Sequence, residues 1–409
     1  MERRVVVSGI GMVTSIGIGR EEFWKNLLLG RSGIGPVESF DTSDYSVHKG
    51  GEVRQFEPEN YVVSLDVAQL GRASQFAVAA ARLALVDADI QIGSVDRRRA
   101  GVSMGTTSGE PREVERFDDH YSADTLDQLG PEFIRRYPCN LIAANVAREF
   151  SFEGISLVLP TACAAGNHAI AHACDALRSG RADLMLTGGS DSFSRITYAG
   201  FARLGAVAPE TCQPFDRDRK GMIPGEGAAV LVLETLERAR KRRARIYAEA
   251  AGYGLSCDGN HMTAGDPEGD GAARAMAEAL KDSDTRPDEV SYISAHGTGT
   301  PTNDRLETIA VKRVFRESAY RIPISSIKSM LGHTMGAASA IEAGTCALSV
   351  FHDLVPPTIN LFEPDPDCDL DYVANHAREH RVEVAMNNAY AFGGNNASLI
   401  LKKCKAGEL

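Results

Sequence analysis

The chain has 409 residues, room for one large domain or two of ordinary size, and its 43% hydrophobic and 24% charged residues are the balance of a globular protein. A formal net charge of −11 argues against a nucleic-acid partner, and any acidic protein partner would need a local basic patch. No apolar run reaches membrane-spanning length, and the N-terminus enters a strand pattern without a signal-peptide core, so a cytoplasmic protein with no membrane association is expected. Eight scattered cysteines include no Cys-x-x-Cys pair, which argues against a zinc or redox motif and for free thiols.

Residues 5–12 read as a strand and glycine turn. Gly9 and Gly11 half-match a dinucleotide fingerprint, but Thr14 stands where its third glycine belongs. Residues 20–75 are loop-rich with short helices, one around 21–24; residues 75–86 have helical spacing and 100–106 form an apolar strand. Residues 109–137 read as an exposed polar excursion, followed by a helix over 141–150. An apolar run at 155–159 reads as a buried strand, entering a tight turn at 160–162 and a small-residue helix over 164–177. Strands follow at 182–189 and 228–233, and the basic cluster 238–245 reads as a solvated helix end. The pattern then restarts. Residues 245–254 resemble the opening unit, and the strand 322–327 precedes a second small-residue helix start at 336–340. The reading is an α/β chain of two similar β/α halves, 1–250 and 251–409.

Cys163 sits where the strand at 155–159 gives way to a helix, so unpaired amides and the helix dipole favour its thiolate. Alone it is either a nucleophile or a packing thiol. Three C-terminal stretches look like site loops: 294–304 with His296, 326–336 with Lys328 and His333, and 387–397 with Gly393-Gly394. The first follows a strand at 290–293, where α/β ligand sites form, and a glycine pair can present amides to an oxyanion. Each histidine alone is also a plausible cap or turn residue. His168 and His172 are four apart, but without a third ligand they read as packing residues, not a metal site.

Together, Thr-Ala-Cys at 161–163, Ala-His-Gly-Thr-Gly-Thr-Pro at 295–301, Lys-Ser-Met-Leu-Gly-His at 328–333 and Phe-Gly-Gly at 392–394 resemble the type II β-ketoacyl-acyl carrier protein synthases. Pro-Phe-Asp-Arg-Asp-Arg at 214–219, Gly-Glu-Gly at 225–227 and Pro-Pro-Thr-Ile-Asn at 356–360 extend the match, which runs from Val5 to Lys402. The resemblance implies a thiolase-like five-layered αβαβα fold, with the nucleophile in the first half and both catalytic histidines in the second. It also implies a decarboxylative Claisen condensation. Cys163 takes an acyl chain, malonyl-carrier protein loses carbon dioxide, and the chain grows by two carbons. His296 and His333 would donate to the malonyl thioester oxygen, and the amides of Cys163 and Phe392 would form the other oxyanion hole. Lys328 would set the charge and position of the histidines, with Glu342 supporting Lys328 or a monovalent cation. Asp304 and Glu307 would support the site from behind, unless Asp304 caps the following helix. Thr298 and Thr300 would follow the pantetheine arm, with Phe201, Phe392, Gly393 and Gly394 on the substrate path. No cofactor or metal is required.

Thiolases need a second cysteine in the C-terminal glycine loop, which is absent here, and type III synthases use Asn in place of His333. Intact Cys163 argues against a chain-length subunit, a non-condensing partner or a mere malonyl decarboxylase. The expected partners are acyl carrier protein and a second subunit meeting the strand at 155–159, either an identical copy or a chain-length-factor paralogue. The chain departs from the fatty-acid pattern at Ala164-Ala165-Gly166, Ala391 and Asn395. Ser108 falls where a bulky aliphatic gates the acyl pocket, so a longer, unsaturated or oxidised chain and a polyketide pathway are expected. Residues 65–72 lack the basic run that docks the carrier; Arg72, Arg135, Arg136 and Arg203 are the substitutes.

Overall fold

The computed structural model describes residues 3–404. In the first half β1 (Val5–Thr14), β2 (Ala100–Gly105), β3 (Ser156–Leu159), β4 (Leu184–Asp191) and β5 (Gly227–Thr235) lie in the order β1-β5-β4-β2-β3. The pairs β1/β5 and β5/β4 are antiparallel; β4/β2 and β2/β3 are parallel. In the second half β6 (Ala248–Cys257), β7 (Tyr292–Ser294), β8 (Ile324–Ser325), β9 (Val384–Tyr390) and β10 (Asn395–Lys402) lie in the order β6-β10-β9-β7-β8. Strand for strand, the order and the sense of each pairing repeat. The faint echo in sequence is thus a repeat of topology. The halves join edge to edge where β1 pairs with β6, at Val6–Glu249 and Val7–Ala248. β6 straddles residue 250.

The helices α1 (Arg72–Asp87), α2 (Leu141–Phe150), α3 (Ala165–Arg178), α4 (Asp270–Asp282), α5 (Pro301–Phe315) and α6 (Ala338–His352) complete the layers. α1 and α2 cover the outer face of the first half-sheet, and α4, backed by α5, covers that of the second. Between the half-sheets, α3 and α6 pack on each other and touch strands of both. Every residue of α6 from Ala338 to Val350 is buried, as befits a helix apolar on all sides. Small residues bring its backbone close to α3: a Cβ on Gly166 would sit 2.5 Å from the Ala340 amide nitrogen. Gly166→Ala is therefore expected to cost about 1–3 kcal/mol in urea unfolding, whereas Gly93→Ala, with open space around it, serves as the neutral control.

Four readings are corrected. The run at 155–159 is an edge strand, with Ser156 exposed and the rest of β3 half-buried, because β3 has a neighbour on one side only. Residues 111–122 and 132–136 form helices, and Phe117, Phe133 and Tyr137 stack in series along them. In the basic cluster, Arg238 and Arg242 are structural, because both pair with Glu234, a carboxylate buried at the end of β5 that needs counter-charge. The strand expected at 322–327 shrinks to Ile324–Ser325, because the chain turns at Ile327 into the short helix Lys328–Leu331.

Candidate active site

β3, β7, β8 and β9 each deliver one expected stretch beyond their C-terminal ends. After β3 the backbone turns through Ala162, a left-handed residue at φ +49°, and places Cys163 in a 3-10 turn at the start of α3. After β7 come His296 and two glycines with left-handed backbone, Gly297 at φ +39° and Gly299 at φ +79°. Beyond β8, the helix Lys328–Leu331 ends at Gly332, φ +74°, where a side chain would strain the turn that presents His333.

His333 Nε2 lies 3.0 Å from Cys163 Sγ. Its backbone is held on both sides: its amide donates to Ile223 O at 2.6 Å and its carbonyl accepts from the Gly225 amide at 2.8 Å. The His296 ring stands edge-on to His333, centroids 5.5 Å apart. Glu307 fixes His296 from behind, accepting from the His296 and Gly297 amides, each at 2.8 Å. Asp304 accepts from the Phe215 amide at 2.8 Å and the Gly299 amide at 3.2 Å. It sits in the first turn of α5, whose N-cap position is Thr300, so it braces the loop and is not the cap. Lys328 and Glu342 form a buried ion pair.

Cys163, His296, Thr298, His333 and Phe392 border one cavity of about 360 Å³. The Thr298 and Thr300 hydroxyls lie 2.8 Å apart at its wall, and Phe201 meets Phe392 with ring centroids 5.7 Å apart. The glycine loop is latched to a neighbouring segment: Gly393 N donates to Met262 O at 2.8 Å and Asp258 N to Gly394 O at 3.0 Å.

Burial sets the charges. Both histidines are held well below the usual 6.5, first by desolvation and then by the Lys328 ammonium, so both are neutral at pH 7. Burial pushes Glu307 up to about 8 and Glu342 up to about 7, the latter against the pull of Lys328. The Cys163 thiol is pushed up to about 12, with Lys328 opposing. Burial thus works against the thiolate that the helix start and Lys328 favour. Because the histidines charge only far below pH 6.5, both rings are expected to stay neutral from pH 8 through 6.5 and to charge only well below, as the imidazole NMR signals followed across that range would show.

Ser108 does not reach this cavity. It is exposed, and its amide donates to Asp191 Oδ1 at 3.1 Å. Arg72 is bound to buried Glu226 and to Val53 O, and Arg136 pairs with Glu113 and Ala68 O, so neither is a free docking cation; Arg135 and Arg203 are exposed. Nδ1 of His168 lies 3.0 Å from Ala164 O, within α3. Two site residues escaped the sequence reading. Buried Asp191 ties the Thr106 hydroxyl and the Thr107 and Ser108 amides to the Gly336 amide at the entry to α6. Tyr390 lines the cavity beside His296. Its place inside the 387–397 stretch was the signal for it.

Two family descriptions match: Beta-ketoacyl synthase, N-terminal domain, over residues 2–239, and Beta-ketoacyl synthase, C-terminal domain, over 247–362. The chain belongs to the β-ketoacyl synthase family, with its thiolase-like fold, and is a condensing enzyme of the acyltransferase kind. It is 40% identical over 409 residues to 3-oxoacyl-[acyl-carrier-protein] synthase 2 of Synechocystis sp., covering 98% of both chains. It is 38% identical to the protein of that name from Coxiella burnetii, covering 98% of this chain and 99% of that one. Among solved structures, the ishigamide ketosynthase/chain length factor superposes with a TM-score of 0.96 at 43% identity, over 99% of this chain and 100% of that one. A type II polyketide synthase acyl-carrier protein in complex with its ketosynthase bound to the hexaketide gives 0.91 at 34% identity, over the same shares. Among the described residues no helix is long and apolar enough to cross a membrane.

Proposed function

We propose that this chain condenses malonyl-carrier protein with an acyl chain held on Cys163, extending it by two carbons. The observation that carries this reading is neutral His333 at 3.0 Å from the Cys163 thiol, with His296 edge-on behind it. In acyl transfer, Sγ attacks the incoming thioester, the carrier's carbon–sulfur bond breaks, and the thiol proton passes to the departing pantetheine sulfur, so His333 stays neutral and keeps the Nε2–H it donates in the second step. Malonyl-carrier protein then loses carbon dioxide. The electron pair left behind forms an enolate whose oxygen accepts hydrogen bonds from His296 and His333. The enolate carbon attacks the acyl-cysteine carbonyl, and the amides of Cys163 and Phe392 hold the resulting oxyanion. The carbon–sulfur bond breaks, freeing Cys163.

Lys328 serves this chemistry by keeping both imidazoles neutral, and Glu342, Glu307 and Asp304 hold Lys328, His296 and the glycine–threonine loop in place. Glu342 Oε2 is buried without a partner among the described residues, an oxygen a monovalent cation would satisfy. Thr298, Thr300, Phe201 and the 392–394 loop line the path of the pantetheine arm. The carrier protein is the substrate partner, the reaction is cytoplasmic, and β3 meets a second subunit, an identical copy or a chain-length-factor paralogue. The ishigamide ketosynthase resemblance supports a polyketide pathway and a longer, unsaturated or oxidised chain over fatty-acid synthesis. The test is intact-protein mass after incubation with acyl carriers of several lengths and oxidation states: a preference for short saturated chains would overturn the pathway reading.

A further inference from the structure

A partner that docks on basic residues presents an acidic face. On a chain of net charge −11 it needs cations that the chain's own carboxylates have not taken. Arg72 and Arg136 are taken, and Arg135 lies on the helix 132–136, which borders no part of the cavity. The mouth of the cavity is where its lining reaches solvent. Leu204 and Phe392 both line it, and they are 57% and 39% exposed.

Three cations stand on the segments that build this mouth. Arg203 directly precedes Leu204, at the end of the helix Arg195–Arg203 that also supplies Phe201. Lys220 lies between two residues bound to the glycine–threonine loop. On one side the Arg219 guanidinium donates to Thr300 O at 3.4 Å and Pro301 O at 3.0 Å; on the other the Gly221 amide donates to Gly299 O at 3.0 Å. The segment carrying Lys220 is tied in turn to the one carrying Arg203, because the Met222 amide donates to Ala206 O at 2.9 Å and both residues line the cavity. Arg305 is on α5 between the lining residues Asn303 and Leu306. All three side chains are exposed, and none has a hydrogen bond or ion pair among the described residues. Asp365, within electrostatic reach of Arg305, is already paired with buried Arg219. Arg217, by contrast, has Asp218 3.9 Å away.

We propose that Arg203, Lys220 and Arg305 form the docking surface for the acyl carrier protein, holding its acidic face over the mouth while Leu204 and Phe392 give the contact an apolar centre. This rests on the condensing function proposed above. An apolar centre inside a charged rim is the anatomy of a protein–protein interface. Charges on a rim act on the rate of encounter and its salt dependence more than on steps that follow. The three cations therefore serve substrates that arrive on the carrier and are indifferent to the same thioester without it.

Arg203→Glu, Lys220→Glu and Arg305→Glu are combined in one variant. Arg97→Glu is the control, an exposed arginine before β2, at the end of that strand away from the site. The rate of Cys163 loading is read by intact mass with two donors, acyl-carrier protein and the same acyl group on free pantetheine. The expected result for the triple variant is loading from the carrier about tenfold slower and less sensitive to salt than in wild type, with loading from pantetheine unchanged. Unchanged loading from the carrier would overturn the assignment. So would an equal fall with both donors, the mark of a disturbed site, or an equal slowing by Arg97→Glu, the mark of net charge alone. Failure of the wild type itself to load from either donor would instead overturn the proposed function, so the two failures are told apart.

Discussion

Cys163→Ala is expected to abolish acyl loading and to lower condensation by roughly 10⁴-fold or more, since Cys163 is the thiol that lines the cavity among the described residues. Intact mass decides it: an acyl adduct on wild type and none on the variant locates the nucleophile. The other cysteines supply the internal control. Cys139 and Cys257 are exposed thiols, Cys174, Cys212, Cys346 and Cys368 are buried outside the cavity, and Cys404 is half-buried outside it. An adduct of equal mass on the variant would place the chemistry outside Cys163 and overturn its role. The structure of the variant should change little, because the thiol's described hydrogen-bonding neighbour is the His333 ring, whose backbone is held independently.

The second large effect concerns the ion pair. Lys328→Ala leaves Glu342 buried without its counter-charge, an outcome that costs about 3–5 kcal/mol when one member of a buried pair is removed. The sign of the pH dependence follows from Glu342, whose folded value already stands near 7 against an ordinary 4.5. Without Lys328 it rises further. The folded state then holds a proton that the unfolded state has released, so the variant loses stability as pH increases from about 5 towards 8. Urea unfolding at pH 5 and pH 8 should therefore show the larger deficit at pH 8; equal deficits would contradict the argument. Pairing Lys328→Met with Glu342→Gln removes both charges and should regain most of the stability. Condensation should remain lowered in the double variant, because Lys328, the second cause after burial of the histidines' neutrality, is gone.

The sequence exposed what local chemistry encodes. Cys163, His296, Lys328 and His333 each lie in a short motif at a strand end, so their convergence could be inferred before any distance was known. Glu342 came from the family resemblance, as support for Lys328 or a monovalent cation, and it lies on the helix that follows His333. What stayed hidden depends on the partner supplied by the fold. Residues 155–159 look like a core strand, and only the strand order shows them at an edge. The helix start at Cys163 is local and legible, whereas the burial that opposes it comes from the whole cavity. Asp191 looked like the end of a strand until Thr106, Ser108 and Gly336 arrived around it. Arg238 and Arg242 meet Glu234 because the chain turns from β5 into the short helix Leu236–Lys241 between them, a reversal that the basic run alone does not signal.

The repeated strand order carries a further consequence. The nucleophile precedes α3 after β3, and Lys328 and His333 precede α6 after β8; these are the same position in the two repeats. A half paired with a copy of itself would carry two equivalent corners facing each other across the buried helix pair. In this chain that symmetry has been divided into trades: one corner is the covalent anchor, and the other manages protons and charge. Neither corner is a site alone, so separating the chain between β5 and β6 would yield two pieces with the same architecture and no shared chemistry until they met again.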